Sequence, residues 1–333
     1  MQLKTPKFWA KKNLLSCALL PLSLIYFLGF VVLNFLRKTQ KISKPVICVG
    51  NLIAGGSGKT PTAIALGKIL KEIAPPDFQF AYLSSGYKGS GLKFLALGKG
   101  ENSAQDVGDE AILLSKIAPT FVAKNRLFGA RKIENIAEIK ALILDDGMQN
   151  NALQKDLTIA VVDGQIGFGN GFLIPAGPMR ESLKSGFSKA DFVVVINDLS
   201  PDVEQKLRGQ KFTKARLLPS NLEEFSDAKL LAFCGLAYPQ KFFSFLKSCN
   251  LEVAECREFS DHFSYRDEDL NSLLQDSQSK GLRLITTKKD WVKFSPDFQN
   301  KINYLDVELE FLDKNFVCEY LKKLIAPVSH KNH

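Results

Sequence analysis

The stretch Pro45 to Thr60, PVICVGNLIAGGSGKT, constrains the fold of this chain more than any other. Val46-Ile47-Cys48-Val49 is a short apolar run rich in β-branched residues, which predicts a buried strand. Gly55-Gly56-Ser57-Gly58 predicts a tight turn, and Lys59-Thr60 opens a segment in which Ile64, Ile69, Leu70 and Ile73 recur at helical spacing. Strand, glycine loop and helix in that order form a phosphate cradle. Glycines let backbone N–H groups converge on phosphate oxygens, the helix start adds partial positive charge, and Lys59 reaches the β- and γ-phosphates. One position is unconventional, since Ile53 stands where a glycine is expected five residues before Gly58. The bland alternative is a glycine turn with no nucleotide.

A second stretch restricts where the chain can sit. Leu14 to Leu36 contains no charged residue, and Lys4, Lys7, Lys11 and Lys12 precede it while Arg37, Lys38, Lys41 and Lys44 follow it. About 20 apolar residues cross a bilayer core, so residues 1–44 are expected to form a membrane helix with basic flanks. Pro21 and Asn34 leave a tilted, interfacial helix or hairpin as the alternative. The net charge of +9 is concentrated around this segment, which argues for membrane lipids and against nucleic acid. A nucleotide site needs cytoplasmic ATP, which puts everything after Lys44 on the cytoplasmic face. The six cysteines show no paired or metal-binding spacing and read as reduced thiols.

The body alternates strands and helices. Strands are expected at 78–83, 120–123, 141–144, 157–162 and 192–196, each nearly continuous in apolar residues, which predicts a mostly parallel sheet covered on both faces. The expected core spans 45–225. Beyond a polar linker at Pro219 to Asp227, strands at 229–234, 282–286 and 302–309 predict a smaller α/β lobe over 226–333, completing a cleft. Ligands of parallel sheets bind at the strand carboxyl ends, where Gly50, Ser84, Asp145-Asp146 and Asp163 fall.

Chemistry concentrates in a few places. Asp145 and Asp146 end a strand, the position from which a carboxylate shares a nucleotide-bound Mg²⁺ with the loop hydroxyl of Thr60. His330 and His333 lie in a polar tail, which leaves His262 as the imidazole placed within a fold. A kinase acting on an alcohol needs a base near the hydroxyl, and either Asp109 or His262 would serve. Asn170 to Glu181, NGFLIPAGPMRE, displays Arg180 and Glu181 at the end of a glycine- and proline-rich loop, suited to phosphate charge. Thr287-Lys288-Lys289-Asp290 resembles a guanine-reading motif, so a membrane-tethered GTPase or ATPase switch is the competing class. Against it, no DxxG follows the Asp145 strand, and Ala54 replaces the lysine of positioning ATPases.

Together these motifs resemble the tetraacyldisaccharide 4′-kinases of lipid A synthesis along nearly the whole chain. The resemblance rests on PKFW at Pro6–Trp9, VGNLIAGGSGKTP, SSGYKG, VGDE at Val107–Glu110, DDGMQN at Asp145–Asn150, IPAGPMRE, FCGLAYPQKFF, FSDHFSY and TTKKDWVK, in that order. It implies a P-loop α/β fold and ATP-dependent phosphorylation of the 4′-hydroxyl of an acylated glucosamine disaccharide 1-phosphate at the bacterial inner membrane. No obligate protein partner is implied. By position, Gly55, Gly56, Ser57, Gly58, Lys59, Thr60 and Pro61 would hold the nucleotide, and Thr60, Asp145 and Asp146 the Mg²⁺. Asp109 would be the general base with His262 paired to it, Arg180 would act beside the reacting phosphate, and Gln149 and Glu181 would lie near the substrate. Ser85, Met148 and Asn150 depart from the family pattern, where arginine, an aromatic and histidine are usual.

Overall fold

The structure is a computed structural model that describes residues 6–86, 94–97 and 104–325. Tyr87 to Gly89 of the SSGYKG motif, His330 and His333 lie outside the described residues. The chain forms a mixed α/β architecture on two sheets. In chain order the strands are β1 (Val46–Gly50), β2 (Gln79–Ser84), β3 (Leu95–Ala96), β4 (Thr120–Val122), β5 (Ile139–Asp145), β6 (Leu157–Asp163), β7 (Phe192–Ile196), β8 (Phe212–Pro219), β9 (Leu230–Cys234), β10 (Val253–Glu258), β11 (Arg283–Thr287), β12 (Asn303–Leu305) and β13 (Val307–Phe311).

The larger sheet has nine strands in the order β13-β8-β7-β6-β1-β5-β2-β4-β3, parallel except for its two edge pairs. Every residue of β1, β6 and β7 is buried, as continuous apolar runs require when helices cover both faces. The helix Lys59–Ile73 packs Ala63, Leu66 and Leu70 on one face, and Ala130, Ile133 and Phe187 from two other helices cover the opposite face. β1 lies between β5 and β6, with Val49 opposite Asp145. That register brings the loop after β1 against the two aspartates at the end of β5.

The smaller sheet is a parallel four-stranded one, ordered β10-β9-β11-β12. Its faces are packed by Phe242, Phe243 and Leu246 of the helix Pro239–Ser248 and by Leu270 and Leu273 of the helix Asp267–Ser279. The single strand expected at 302–309 is divided. β12 stays in the smaller sheet, whereas β13 crosses back and pairs antiparallel with β8 of the larger one. Val317 and Leu321 of the helix Lys314–Ile325 then bury against the larger sheet. Residues 307–325, expected in the smaller lobe, therefore pack on the core, because β8 would otherwise be an open edge.

The amino-terminal apolar stretch forms two helices, Leu14–Ala18 and Leu20–Leu36, rather than one. Pro21 sits in the first turn of the second, where its missing N–H costs nothing but cannot continue the helix before it. Among the described residues no helix is long and apolar enough to cross a membrane. Leu22, Leu24, Ile25, Leu28, Val31, Val32, Leu33 and Leu36 are all exposed. Its other face is anchored: Ser23 Oγ donates to the Leu173 carbonyl at 2.8 Å, and the Tyr26 hydroxyl to the Arg180 carbonyl at 3.1 Å.

Candidate active site

Gly58 has φ of +87°, a left-handed conformation that favours glycine, and a Cβ there would have to displace the tip of the Ile196 side chain. Lys59 and Thr60 begin the helix after it. The unconventional Ile53 has a physical reason. Its side chain is 3% exposed in the core, and its backbone bridges Met179 of the 170–181 loop. Ala54 N–H donates to the Pro178 carbonyl at 2.7 Å and Arg180 N–H to the Leu52 carbonyl at 2.8 Å. The first half of the glycine loop is thus clamped by a second loop instead of turning freely.

That clamp delivers Arg180 to the aspartates. Arg180 Nη1 and Nη2 donate to Asp146 Oδ1 and Oδ2 at 2.6 and 3.1 Å, and Lys59 Nζ lies 3.6 Å from Asp146 Oδ2. Burial raises the proton affinity of Asp146, but Lys59 and Arg180 outweigh it and hold the carboxyl below the ordinary range. Asp145 is treated differently. Thr60 Oγ1 donates to its Oδ2 at 3.0 Å, while its Oδ1 is buried without a hydrogen-bond partner among the described residues. Burial and the nearby Glu110 charge push Asp145 up to about 7 despite Lys59. It is a carboxylate short of positive charge, and its free oxygen beside a hydroxyl suits a hard divalent cation.

Arg126, which sequence reasoning missed, braces this turn from beneath. It is 4% exposed and donates through Nη2 to the Asp145 and Asp146 carbonyls at 2.8 and 3.3 Å. No motif marks it, since it only follows the helix-capping Asn125. Gln149 donates to the Asn51 carbonyl at 2.8 Å and to Glu181 Oε1 at 3.1 Å, and accepts from Arg180 at 3.2 Å. Glu181, expected at the displayed end of its loop, is 1% exposed and also pairs with Lys189 at 2.6 Å. It holds Gln149 in place from inside the fold. Asn150 uses its side chain to accept Ala152 N–H, so it shapes its own turn.

Asp109 opens the helix Asp109–Ser115 under the larger sheet's edge, and His262 comes from the smaller lobe, yet Nδ1 of His262 lies 3.0 Å from Asp109 Oδ2. Lys289 and Lys293 join them, Lys289 at 3.2 Å from Glu110 and Lys293 at 3.6 Å from Asp109. Burial raises the proton affinity of Asp109, but Lys289, the His262 hydrogen bond and Lys293 prevail and hold it well below the carboxylate range. A second joint ties the lobes, where Lys241 Nζ lies 2.8 Å from Asp163 and 3.2 Å from the Gly56 carbonyl. Between the joints lies a cavity of about 370 Å³. Gly56 to Pro61, Glu110 and Lys289 line one end, and Leu217, Phe242, Phe245 and Leu305 give it apolar walls.

The Asp290 carboxylate of the Thr287–Asp290 motif is not displayed to a ligand. Asp290 is fully buried and accepts from Gly235 N–H at 2.9 Å, Thr287 Oγ1 at 3.0 Å and Lys293 Nζ at 2.7 Å. All of its capacity goes to holding its own lobe together.

Residues 15–326 match the family described as tetraacyldisaccharide-1-P 4′-kinase. The chain is 37% identical over 316 residues to the tetraacyldisaccharide 4′-kinase of Paramagnetospirillum magneticum, covering 93% of this chain and 95% of that one. It is 37% identical over 328 residues to that of Rickettsia canadensis, covering 97% and 98% respectively. Among solved structures it resembles the LpxK of Aquifex aeolicus in complex with ATP, with a TM-score of 0.73, 26% identity and coverage of 94% of this chain and all of that one.

Proposed function

The chain belongs to the tetraacyldisaccharide-1-P 4′-kinase family, and from that premise we propose how its residues carry the ATP-dependent phosphorylation of a lipid A disaccharide precursor. The observation that carries the reading is the 3.0 Å contact between Asp109 and His262, which joins the two lobes next to the cavity that holds the glycine loop. ATP lies with its phosphates on Gly55 to Pro61 and its base in the apolar part of the cavity. Lys59 neutralises the β- and γ-phosphates. Asp109 accepts the proton of the sugar 4′-hydroxyl as its oxygen bonds to the γ-phosphorus, and the bond to the ADP oxygen breaks. His262 orients Asp109 by donating from Nδ1.

Thr60 Oγ and the free oxygen of Asp145 are the groups that would hold Mg²⁺, with Asp146 fixed alongside by Arg180 and Lys59. When bound, the ion neutralises charge on the transferring phosphoryl group. Gln149 and the Arg180 guanidinium flank the same turn and face the acceptor's side of the reaction. The acceptor is a lipid, and the exposed apolar face of Leu20–Leu36 accounts for how it is reached. With Lys11 and Lys12 at one end and Arg37, Lys38 and Lys41 at the other, this helix lies in the cytoplasmic surface of the inner membrane.

The test is transfer of labelled γ-phosphate to an acylated glucosamine disaccharide 1-phosphate in mixed micelles. ATP supports transfer, and Asp109→Asn and Lys59→Ala each abolish it. Hydrolysis of GTP without any lipid product would overturn the reading.

A further inference from the structure

We propose that Lys289 is a positioning residue that holds His262 as the neutral, Nδ1-protonated imidazole facing Asp109. The inference rests on the reading of Asp109 as the base. Lys289 Nζ lies 3.3 Å from His262 Nε2 and 3.2 Å from Glu110 Oε1, while His262 Nδ1 lies 3.0 Å from Asp109 Oδ2. An ammonium has protons and no lone pair, so the nitrogen it meets must supply the lone pair. Nε2 is therefore the acceptor. A carboxylate accepts, so the nitrogen facing Asp109 must carry the proton. Both ring nitrogens are assigned by their neighbours, and together they describe a neutral imidazole with its single N–H at Nδ1.

The two side chains hang from one scaffold. His262 has φ of +53°, and its N–H donates to the Gly235 carbonyl at 3.0 Å. The N–H of the same Gly235 donates to buried Asp290, one residue beyond Lys289, in a short helix capped by Thr287. A left-handed backbone at a non-glycine residue is costly and persists where its surroundings enforce it. Lys289 also stands where a cation is wanted. The ligand-type atoms of Asp109, Glu110 and His262 lie within 4.8 Å of one another, and the ammonium bonds two of the three residues.

Among the described residues, the charges facing the ring are Asp109 and Glu110 from the core helix, Asp261 from its own loop at 4.0 Å from Nε2, and Lys289 and Lys293 from the segment after β11. Lys289 itself lowers the proton affinity of Asp109, so its part is not to strengthen the base but to fix the ring, with Nε2 as acceptor and Nδ1–H on Asp109.

The experiment uses the full chain with ¹⁵N-labelled histidine and two-bond ¹H–¹⁵N correlation spectra, with His262→Gln identifying its signals among the three histidines. Wild-type protein at pH 7.5 shows a protonated Nδ1 and an unprotonated Nε2. In Lys289→Met the Nδ1–H signal broadens as the ring loses its fixed orientation, and kcat falls roughly tenfold or more with KM nearly unchanged. Lys289→Arg keeps the donor and restores both. Lys289→Leu, the second variant should the methionine protein fold poorly, behaves as the methionine variant does. A wild-type Nε2–H tautomer, or apolar variants with an unchanged Nδ1–H signal and kcat, overturns the proposal. Should the spectra behave as expected while Asp109→Asn retains full activity, the base reading fails and the Lys289–His262 pairing stands.

Discussion

Arg180 grips Asp146 with both terminal nitrogens, at 2.6 and 3.1 Å, and the backbone carbonyl of the same arginine accepts the hydroxyl of Tyr26 from the amino-terminal apolar helix. The planar guanidinium matches a carboxylate in two places, which a lysine cannot reproduce. We expect Arg180→Lys to lower kcat by roughly 100-fold, of the order seen when a positioned charge partner is removed. Steady-state kinetics check it, and activity within twofold of wild type refutes it.

Ile53 invites a counterintuitive test. Ile53→Gly restores the conventional loop spacing, yet it removes a side chain 3% exposed in the core and leaves only the backbone bridge to the 170–181 loop. Truncation of a buried isoleucine to alanine costs about 2–5 kcal/mol, and glycine adds about 0.5–1 kcal/mol of backbone entropy. Urea unfolding should show this loss, with a higher KM for ATP. An unchanged midpoint would show that the loop does not depend on its anchor.

Asp145 predicts an unusual pH dependence in metal-free protein. Its folded-state proton affinity is raised from the ordinary 3.8 to about 7, so the native state binds more protons than the unfolded state between those values. The stability it contributes is present at low pH and lost as pH rises towards 7. Asp145→Asn should therefore melt higher than wild type at pH 8 without metal, by roughly 2–4 °C for each kcal/mol relieved, with the gap closing towards pH 5. The same variant should be inactive. Calorimetry across pH decides it, and a gap that widens on acidification would reverse the assigned sign.

The apolar helix face separates binding from folding. Ile25, Leu28 and Val32 are 66%, 54% and 55% exposed and share a helical face. Replacing all three by glutamine should leave the melting temperature within about 2 °C, since exposed substitutions usually change stability by under ~0.5 kcal/mol. Co-sedimentation with anionic vesicles should fall at least tenfold. Equal sedimentation of the variant would place the membrane contact elsewhere.

Much of this molecule is legible in residue order. The apolar runs at β1, β5, β6 and β7 announce buried parallel strands, and GGSGKT announces a loop and helix start, because both depend on neighbours within a few positions. β8 and β13 were not separated from their surroundings, since their alternating exposure and antiparallel pairing join residues 212–219 to 307–311. Arg126 was invisible for a related reason: an arginine after a helix cap has the pattern of a surface charge until the fold buries it under Asp145.

From sequence alone came the phosphate loop, the paired aspartates, the isolated histidine and the family they jointly resemble. These are local patterns whose chemistry is set by residue type and spacing. Only the tertiary structure decided that Ile53 is an anchor, that Asp145 and Asp146 have opposite electrostatic surroundings, and that Lys289 and Asp109 meet His262 from opposite sides. The reason is physical: proton affinity and hydrogen-bond direction depend on burial and on charges a few ångströms away, and in this chain those charges come from residues 27 to 179 positions apart.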